Sequence, residues 1–442
     1  MAQRGRRTTF EERVEISERW ETGETDPEIA AAMSLSVWTV RKWRRAYQRE
    51  RRSGLVSVMG RPPTGALGQF PLELRDTIRE MREKQPGWGP LTIRTELEGD
   101  SYFAGLKLPS RSRIAAFLKQ EEFTRKYERH SELPQSQSGA VQRPHEEWEV
   151  DAKGVLEVPS LGQVSLINIG DSFSRLKVDS FPALNTSHPN TLHYQLVLRR
   201  AFVRYGLPER MSLDHDSVFY DNTCASPYPT RLHLWLIALG IEARFIQKRP
   251  PAEHSFIERT HQTVTQQAIV GQAFADGPAL QQNLTERLDF LNLRFPSPAL
   301  DGQPPLMAYP EARHSGRPYR LEWEETMLDL QRVYDYLAQG RWFRQVSPQG
   351  QFSLGAHRYG IGTDFADQTV EITFDPQTQE LISLSEDGEQ QTRLPVQGLT
   401  KCVLIGELGP LIALPAYQLA LPFSPPAWRE MTLSNDLTGT TL

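Results

Sequence analysis

Apolar positions along this chain change period several times. From Glu28 to Tyr47 they recur at helical spacing, with a break at Ser34-Leu35-Ser36 and a restart at Val37. Asp26-Pro27-Glu28 is a helix opening: an acid able to cap, Pro in the first turn, and a Glu that complements the helix dipole. Leu72 to Glu83 is amphipathic, Leu91 to Leu97 continues a helical pattern after Pro86-Gly87-Trp88-Gly89-Pro90, and Ser110 can cap a helix running to Lys119. Between Trp148 and about Ala273 strands and helices alternate. The predicted strands are Trp148–Asp151, Gln163–Gly170, Arg175–Phe181, Arg210–Asp214 and Ile241–Ile246; the predicted helices are Asn190–Tyr205, Leu232–Leu239 and Phe256–Ile269. Strands first, then alternation with helices, imply an α/β layer fold. Beyond Gly340 the pattern shortens to Trp342–Val346, Gln351–Leu354, Gln368–Phe374 and Leu381–Leu384, separated by Gly, Pro and Asp, which predicts a small β-barrel of about five strands.

Three stretches lack either period and are expected as linkers or boundaries: residues 51–65, the polar run 133–139, and 296–318 with its six prolines. They divide the chain into a multidomain array: helical modules over 1–55 and 65–130, an α/β core over 145–295, a small β-barrel domain over 340–400, and a tail over 401–442. A length of 442 residues suits about three domains at roughly 150 residues each.

Composition narrows the classes. No run approaches the roughly 18 apolar residues of a membrane helix, and the basic N-terminus leads into no apolar segment, so neither a spanning segment nor a secretory signal is expected. Cys224 and Cys402 are the only cysteines, which excludes a disulfide framework and any zinc site built on several thiolates, and fits a reducing compartment. The net charge of −5 is split: residues 1–144 carry 26 Lys/Arg against 20 Asp/Glu, the remainder 24 against 35. A basic front on an acidic body is compatible equally with a polyanion partner for the front and with ordinary solvated surface. No P-loop glycine pattern is present, so ATP dependence would come from a partner.

The front helices suggest how that partner is read. Alanines 30–32 allow close crossing, Val40 and Trp43 point into the helix pair, and Trp38, Thr39, Arg41, Lys42, Arg44 and Arg45 form the outer face of the second helix. This is the layout of a helix-turn-helix whose second helix enters the DNA major groove, with Ser34 where such turns usually carry Gly. A helical hairpin with no ligand is the plainer alternative. In the second block Ser110, Arg111 and Arg113 stand at a helix start, where backbone N–H groups favour phosphate. Trp88 reads as a core anchor.

Three carboxylates stand at element ends of the core: Asp151, Asp214 and Glu258. Isolated carboxylates in apolar surroundings are costly unless paired, hydrogen-bonded or metal-bound, and hard oxygen ligands suit Mg²⁺ or Mn²⁺. With 55 acidic residues in the chain, spacing alone selects none of them.

The stretches Ile169-Gly170-Asp171-Ser172-Phe173-Ser174-Arg175, Tyr205-Gly206-Leu207-Pro208-Glu209-Arg210 leading to Leu213-Asp214, and Phe256-Ile257-Glu258-Arg259-Thr260-His261-Gln262-Thr263 resemble the catalytic core of DDE transposases and retroviral-type integrases. The helical front, with a second module read as winged-helix-like, and the strand-rich end extend the likeness to bacterial insertion-sequence and Mu-type transposases. The resemblance implies a ribonuclease-H-like core, two Mg²⁺ or Mn²⁺ ions held by Asp151, Asp214 and Glu258, and DNA cleavage and joining by two-metal phosphoryl transfer. It also implies double-stranded DNA as partner (element ends and target), a homo-oligomer on DNA, accessory transposition proteins, no membrane, and a bacterial, nucleoid-associated cytoplasmic setting. Under it Asp171 is a structural turn residue near the site; Lys248 and Arg249, ahead of the last helix, are either holders of substrate phosphate or a solvated basic loop, and His261 is a structural or DNA-contacting residue. Departures are His215-Asp216 after Asp214, which makes Asp216 a rival ligand; the insertion Tyr220–Arg231; and Glu253-His254-Ser255 before the last acid, which makes Glu253 a weaker rival. The alternative is a domesticated DNA-binding protein that keeps the fold without catalysis.

Overall fold

The computed structural model describes residues 8–56, 65–124, 141–222, 224–245 and 255–406. The chain divides into two compact units: residues 1–75 with 116–122, and residues 76–115 with 123–442.

The first unit opens with α1 (Phe10–Glu21), α2 (Asp26–Ala32) and α3 (Val37–Gly54). The helical pattern predicted the last two; α1 precedes them and supplies Ile16 to a shared core with Ile29, Ala30, Leu35, Val40, Trp43 and Leu55. Arg13 of α1 is buried, its guanidinium 4.1 Å from the Trp43 ring centre, and donates to the carbonyls of Leu55 at 2.9 Å and Thr8 at 2.6 Å. Thr25, not Asp26, caps α2: its backbone N–H and hydroxyl both donate to Glu28. Ser34 takes a left-handed φ of 50°, the geometry that explains why glycine is usual at this turn. Helix α3 runs into the expected linker as far as Gly54.

Next come α4 (Leu72–Lys84), α5 (Pro90–Gly99) and α6 (Arg111–Gln120). In the second unit, Trp88 and α5 are built into the α/β core. There, β1 (Glu147–Val158), β2 (Gly162–Asp171) and β3 (Lys177–Leu184) form an antiparallel meander, followed by α7 (Thr191–Tyr205), β4 (Arg210–Leu213), α8 (Arg231–Ala238), β5 (Glu242–Phe245), α9 (Ser255–Ala268) and α10 (Gly277–Leu293). The sheet order is β3-β2-β1-β4-β5, with β4 and β5 parallel to β1. Three antiparallel strands followed by two parallel ones on the far side of β1 is the ribonuclease-H-like arrangement. Trp148 and Val150 of β1 pack with α7 and α8, while Val164 and Leu166 of β2 pack with Val264 and Leu284 of α9 and α10.

Helix α5 is pinned to α9 and α10. Trp88 Nε1 donates to the Gln267 carbonyl at 3.1 Å, Gln267 Nε2 donates to Thr92 Oγ1 at 2.8 Å, and Arg287 bonds Glu96 at 2.5 Å while lying 4.4 Å from the Trp88 ring centre. Gly87 fits because a Cβ there would lie 1.9 Å from the Gln266 carbonyl oxygen.

The proline-rich stretch expected as a linker is instead packed on the core. It holds α11 (Pro305–Ala308) and precedes α12 (Glu324–Met327) and α13 (Leu330–Leu337). Prolines deny it a regular ladder, but Leu207 N donates to Arg317 O at 2.8 Å and Ser315 N to Tyr205 O at 2.7 Å. Fully buried Arg199 of α7 gives two 2.8 Å bonds to Glu324 of α12, which also accepts from Trp235 and Tyr319.

The expected small barrel is not closed among the described residues. Strands β6 (Trp342–Gln345), β9 (Thr369–Asp375), β10 (Glu380–Leu384) and β11 (Gln391–Pro395) make one sheet in the order β11-β10-β9-β6, while β7 (Gln351–Leu354) and β8 (His357–Gly360) make a separate hairpin. The two share apolar packing, Phe352 and Tyr359 with Val370, Ile372 and Leu381, without a hydrogen-bonded seam. The segment read as an insertion holds this region to the core. Phe343 N donates to Ser226 Oγ at 2.8 Å, Arg344 to Ser226 O at 2.8 Å, and Trp342 Nε1 to Pro227 O at 3.2 Å. The expected tail begins as a helix, α14 (Lys401–Ile405), whose Leu404 and Ile405 carbonyls accept from Gln195 and Arg199.

No helix among the described residues is long and apolar enough to cross a membrane.

Candidate active site

The centre of the sheet explains the acids. In Glu147-Trp148-Glu149-Val150-Asp151 the apolar side chains take one face of β1, so the three acids share the other. Glu147 lies near Arg210 and Arg244 at 3.3 and 3.4 Å. Glu149 is buried; Ser172 Oγ donates to it at 2.9 Å and the backbone N–H of Ile257 at 3.2 Å. It therefore ties the first turn of α9 to β1 and to the turn after β2. Burial pushes the Glu149 carboxyl up to about 7, against the pull of its two hydrogen bonds.

Asp151 in β1 and Asp214, just past the end of the neighbouring parallel β4, each stand two residues beyond the paired positions Glu149 and Ser212. Both bear on the buried Tyr194 hydroxyl. Its pKa is raised first by burial and then by the charges of Asp216, Asp151 and Asp214. Asp151 is half-buried and accepts from His261 Nε2 at 3.1 Å, and the other ring nitrogen of His261 meets Asn168 Nδ2 at 2.5 Å. With the amide nitrogen as donor, Nδ1 accepts and Nε2–H faces Asp151, so Asn168 sets the tautomer and the ring angle. Asn168 lies opposite Asp151 in the β1–β2 register.

Glu258 is exposed in the first turn of α9, one helical turn before His261. Its helix is seated by Phe256, whose ring lies where a Cβ on Gly170 would come within 2.5 Å, so the site needs glycine there. Asp171, read as a turn residue, is fully buried and accepts from His145 N and Ser174 N, both at 3.0 Å, and from Ser174 Oγ. Asp216, the rival ligand, is engaged in its own turn: Val218 N donates to its Oδ1 at 3.1 Å and Phe219 N to its carbonyl at 2.9 Å. Glu253, Lys248 and Arg249 lie outside the described residues.

As a metal centre the donor set is right in kind, three hard carboxylates with Asp151 oriented by a histidine. Among the described residues, however, no three His, Cys, Asp or Glu side chains stand close enough to hold one ion. Sequence reasoning missed Glu149 and Asn168 and read His261 as a structural or DNA-contacting residue without its tie to Asp151. The alternation of acids along β1 was a legible signal for Glu149; nothing local marks Asn168.

On α3, Trp38 is 72% exposed, and Arg41, Lys42 and Arg45 are exposed with it. Thr39 is half-buried with its hydroxyl 2.7 Å from Ser36 Oγ, and half-buried Arg44 lies 3.3 Å from Asp26, which also takes Arg41 at 3.4 Å. The free face is therefore narrower than the pattern implied. Ser110 caps α6, accepting from Arg113 N at 3.4 Å, with Arg111 exposed beside it.

Residues 7–56 match the model of a Homeodomain-like domain, in agreement with the α1–α3 helix-turn-helix. Among solved structures, the chain is similar to the catalytic core domain of BIV integrase, at 17% identity over 38% of this chain and 95% of that one, with a TM-score of 0.28. It is also similar to the HTLV-2 integrase catalytic core domain in complex with magnesium, at 12% identity over 38% and 99%, TM-score 0.28. A third is the simian T-cell lymphotropic virus intasome in complex with PP2A regulatory subunit B56 gamma, at 11% identity over 70% and 97%, TM-score 0.32. The ribonuclease-H-like assignment stands on the strand order and directions of the sheet.

Proposed function

We propose that this chain is a DDE-type DNA transposase that binds the ends of a bacterial mobile element, cuts their 3′ ends and joins them to target DNA. The observation that carries this reading is that Asp151 and Asp214 each follow a paired position of β1 and β4 by two residues and both act on Tyr194, with the helix of Glu258 tied to β1 through Glu149 and His261. Asp151, Asp214 and Glu258 would hold two Mg²⁺ or Mn²⁺ ions, which when bound activate a water or a 3′-hydroxyl and stabilise the leaving oxygen of a phosphodiester. His261, oriented by Asn168, fixes one oxygen of Asp151 and leaves the other for its ligand. Glu149 keeps α9, and so Glu258, at its distance from β1.

Helix α3 enters the major groove through Trp38, Thr39, Arg41, Lys42, Arg44 and Arg45, and Ser110, Arg111 and Arg113 at the start of α6 take backbone phosphates, as do Lys248 and Arg249. Residues 1–55, 65–130, 145–295 and 340–400 act as successive modules, and two ends are paired by an oligomer on DNA, with accessory proteins. The setting is the bacterial nucleoid.

The test is strand transfer with Mn²⁺ or Mg²⁺ on DNA from the two flanks of the gene, wild type beside Asp151→Asn and Glu258→Gln. Metal-dependent joining that disappears in both variants is expected. Binding of flank DNA with neither cutting nor joining, partner supplied, would instead support a domesticated DNA-binding protein.

A further inference from the structure

Beyond Asp214 the chain turns into a compact group of rings at the carboxyl ends of β4 and β5, the end of a parallel sheet where ligands bind. His215 and Tyr220 lie 4.6 Å apart at 63°, Tyr220 and Phe245 5.2 Å apart at 65°, and His215 and Phe245 5.9 Å apart. All three are half-buried, and the buried His233 backs Phe245 at 5.0 Å. The loop is fixed from within. Phe219 N and Tyr220 N both donate to the Asp216 carbonyl at 2.9 Å, Asn222 Nδ2 donates to the His215 carbonyl at 2.5 Å, and Phe219 is buried against Tyr194 at 4.6 Å.

We propose that His215, Tyr220 and Phe245 form a shelf on which one unpaired base of the DNA strand passing Asp214 is stacked. The inference rests on the DNA-cutting reading of Asp151, Asp214 and Glu258. Charge selects the occupant. Asp216, next to His215 and outside the metal-holding set, disfavours a phosphate over the rings, whereas a base is neutral and presents a π face of matching size. Within a duplex both faces of a base are covered by its neighbours, so an occupant of the shelf has left the stack. Unstacking is unfavourable, and a preformed ring surface beside the carboxylates offsets part of that cost where the strand must open. The departure from the family pattern at His215-Asp216, and the loop beginning at Tyr220, thereby acquire a role.

Two measurements decide it, with Tyr220→Leu and Phe245→Leu, which keep apolar bulk and remove the aromatic face. In metal-free fluorescence anisotropy with the full chain, each variant is expected to bind a short oligothymidine on the order of tenfold more weakly than wild type and to bind flank duplex unchanged. Unaltered oligothymidine affinity overturns the shelf. In metal-dependent cleavage, each variant is expected to cut fully paired ends on the order of tenfold more slowly, and to regain most of the rate on ends carrying a mismatch at the scissile step. Equal loss on paired and mismatched ends marks the rings as structural and overturns the proposal. Should wild type cut neither substrate, it is the transposase reading that fails, and the anisotropy result still decides the shelf.

Discussion

The three-helix unit at the front and the carboxylate site of the core are built over very different ranges of sequence. Every buried apolar member of the core shared by α1, α2 and α3 lies between Ile16 and Leu55. In the core, Asp151 meets a histidine 110 positions on, Glu149 caps a helix 108 positions on, and Trp88 bonds a carbonyl 179 positions on. A unit closed by local contacts presents its chemistry on its surface, whereas a site closed by distant contacts depends on residues that never touch the substrate.

The largest effect should come from cutting the deepest of those distant ties. Arg199 and Glu324 are 0% and 1% exposed, and removing one partner strands the other charge. Arg199→Met should destabilise the second unit by about 3–5 kcal/mol, with no change in the front unit. Thermal unfolding followed by far-UV and tryptophan signals should then separate into two transitions, the later one being the front unit. If both transitions fall together, the contrast between the units is broken.

Next in size is the tie that holds Glu258's helix. Glu149→Ala frees the Ile257 N–H and the turn at Ser172. A displacement of about 1 Å at a reacting centre costs on the order of 100-fold in rate, so joining should fall by that order while duplex affinity stays within about twofold. Glu149→Gln keeps an oxygen for Ile257 N and should restore most of the rate. Failure of the glutamine variant to do better than alanine would show that Glu149 does more than hold the helix.

What could be read from the residues divides along the same line. Helices α2 and α3 and the strands of the core follow from period, capping and turn chemistry, all short-range, whereas the choice of Asp151, Asp214 and Glu258 among the acids rests on the family resemblance. That Asp26 of the preceding helix pairs with Arg41 and Arg44 on the recognition face is a tertiary fact that period does not encode. The proline-rich stretch, read as a linker or boundary, is packed for a related reason: prolines forbid a ladder but leave carbonyls and apolar groups free to pack, and Leu306 and Ala312 are buried there. The barrel failed to close because β7 and β8 pair with each other, a choice that strand-length patterns do not encode. Asn168 reads as an ordinary strand position until α9 is laid across it.

A smaller effect sharpens the front unit's side. Trp38→Ala should weaken duplex binding about tenfold, in line with the roughly 1–3 kcal/mol of a direct contact. Arg45→Ala should lower affinity evenly across sequences and reduce the salt slope by about 1. Neither should alter the joining rate at saturating DNA. A change in that rate would mean the front helices act on the core chemistry and not only on binding.

A last effect uses protons, because the front unit has no histidine at all and the core has buried ones. His145 accepts from Trp148 Nε1 at 3.1 Å through Nδ1 and donates from Nε2 to the Ala312 carbonyl at 2.9 Å, so its neutral form is fully used. Burial lowers its pKa from 6.5 to about 4. The unfolded chain therefore binds the proton first, and the stability contributed by His145 is present above about pH 6.5 and is lost as the pH falls towards 4. Glu149 and Asp171, raised by burial to about 7 and about 6, act with the opposite sign over much of the same window, so total stability hides the histidine. A difference measurement isolates it. Wild type should exceed His145→Gln in urea-unfolding stability at about pH 7.5, and that margin should shrink by about 2 kcal/mol by about pH 5. The front-unit transition should hold its midpoint across the same range. A margin independent of pH would mean that His145 is not held neutral by its two partners, and that the Trp148 bond contributes packing alone.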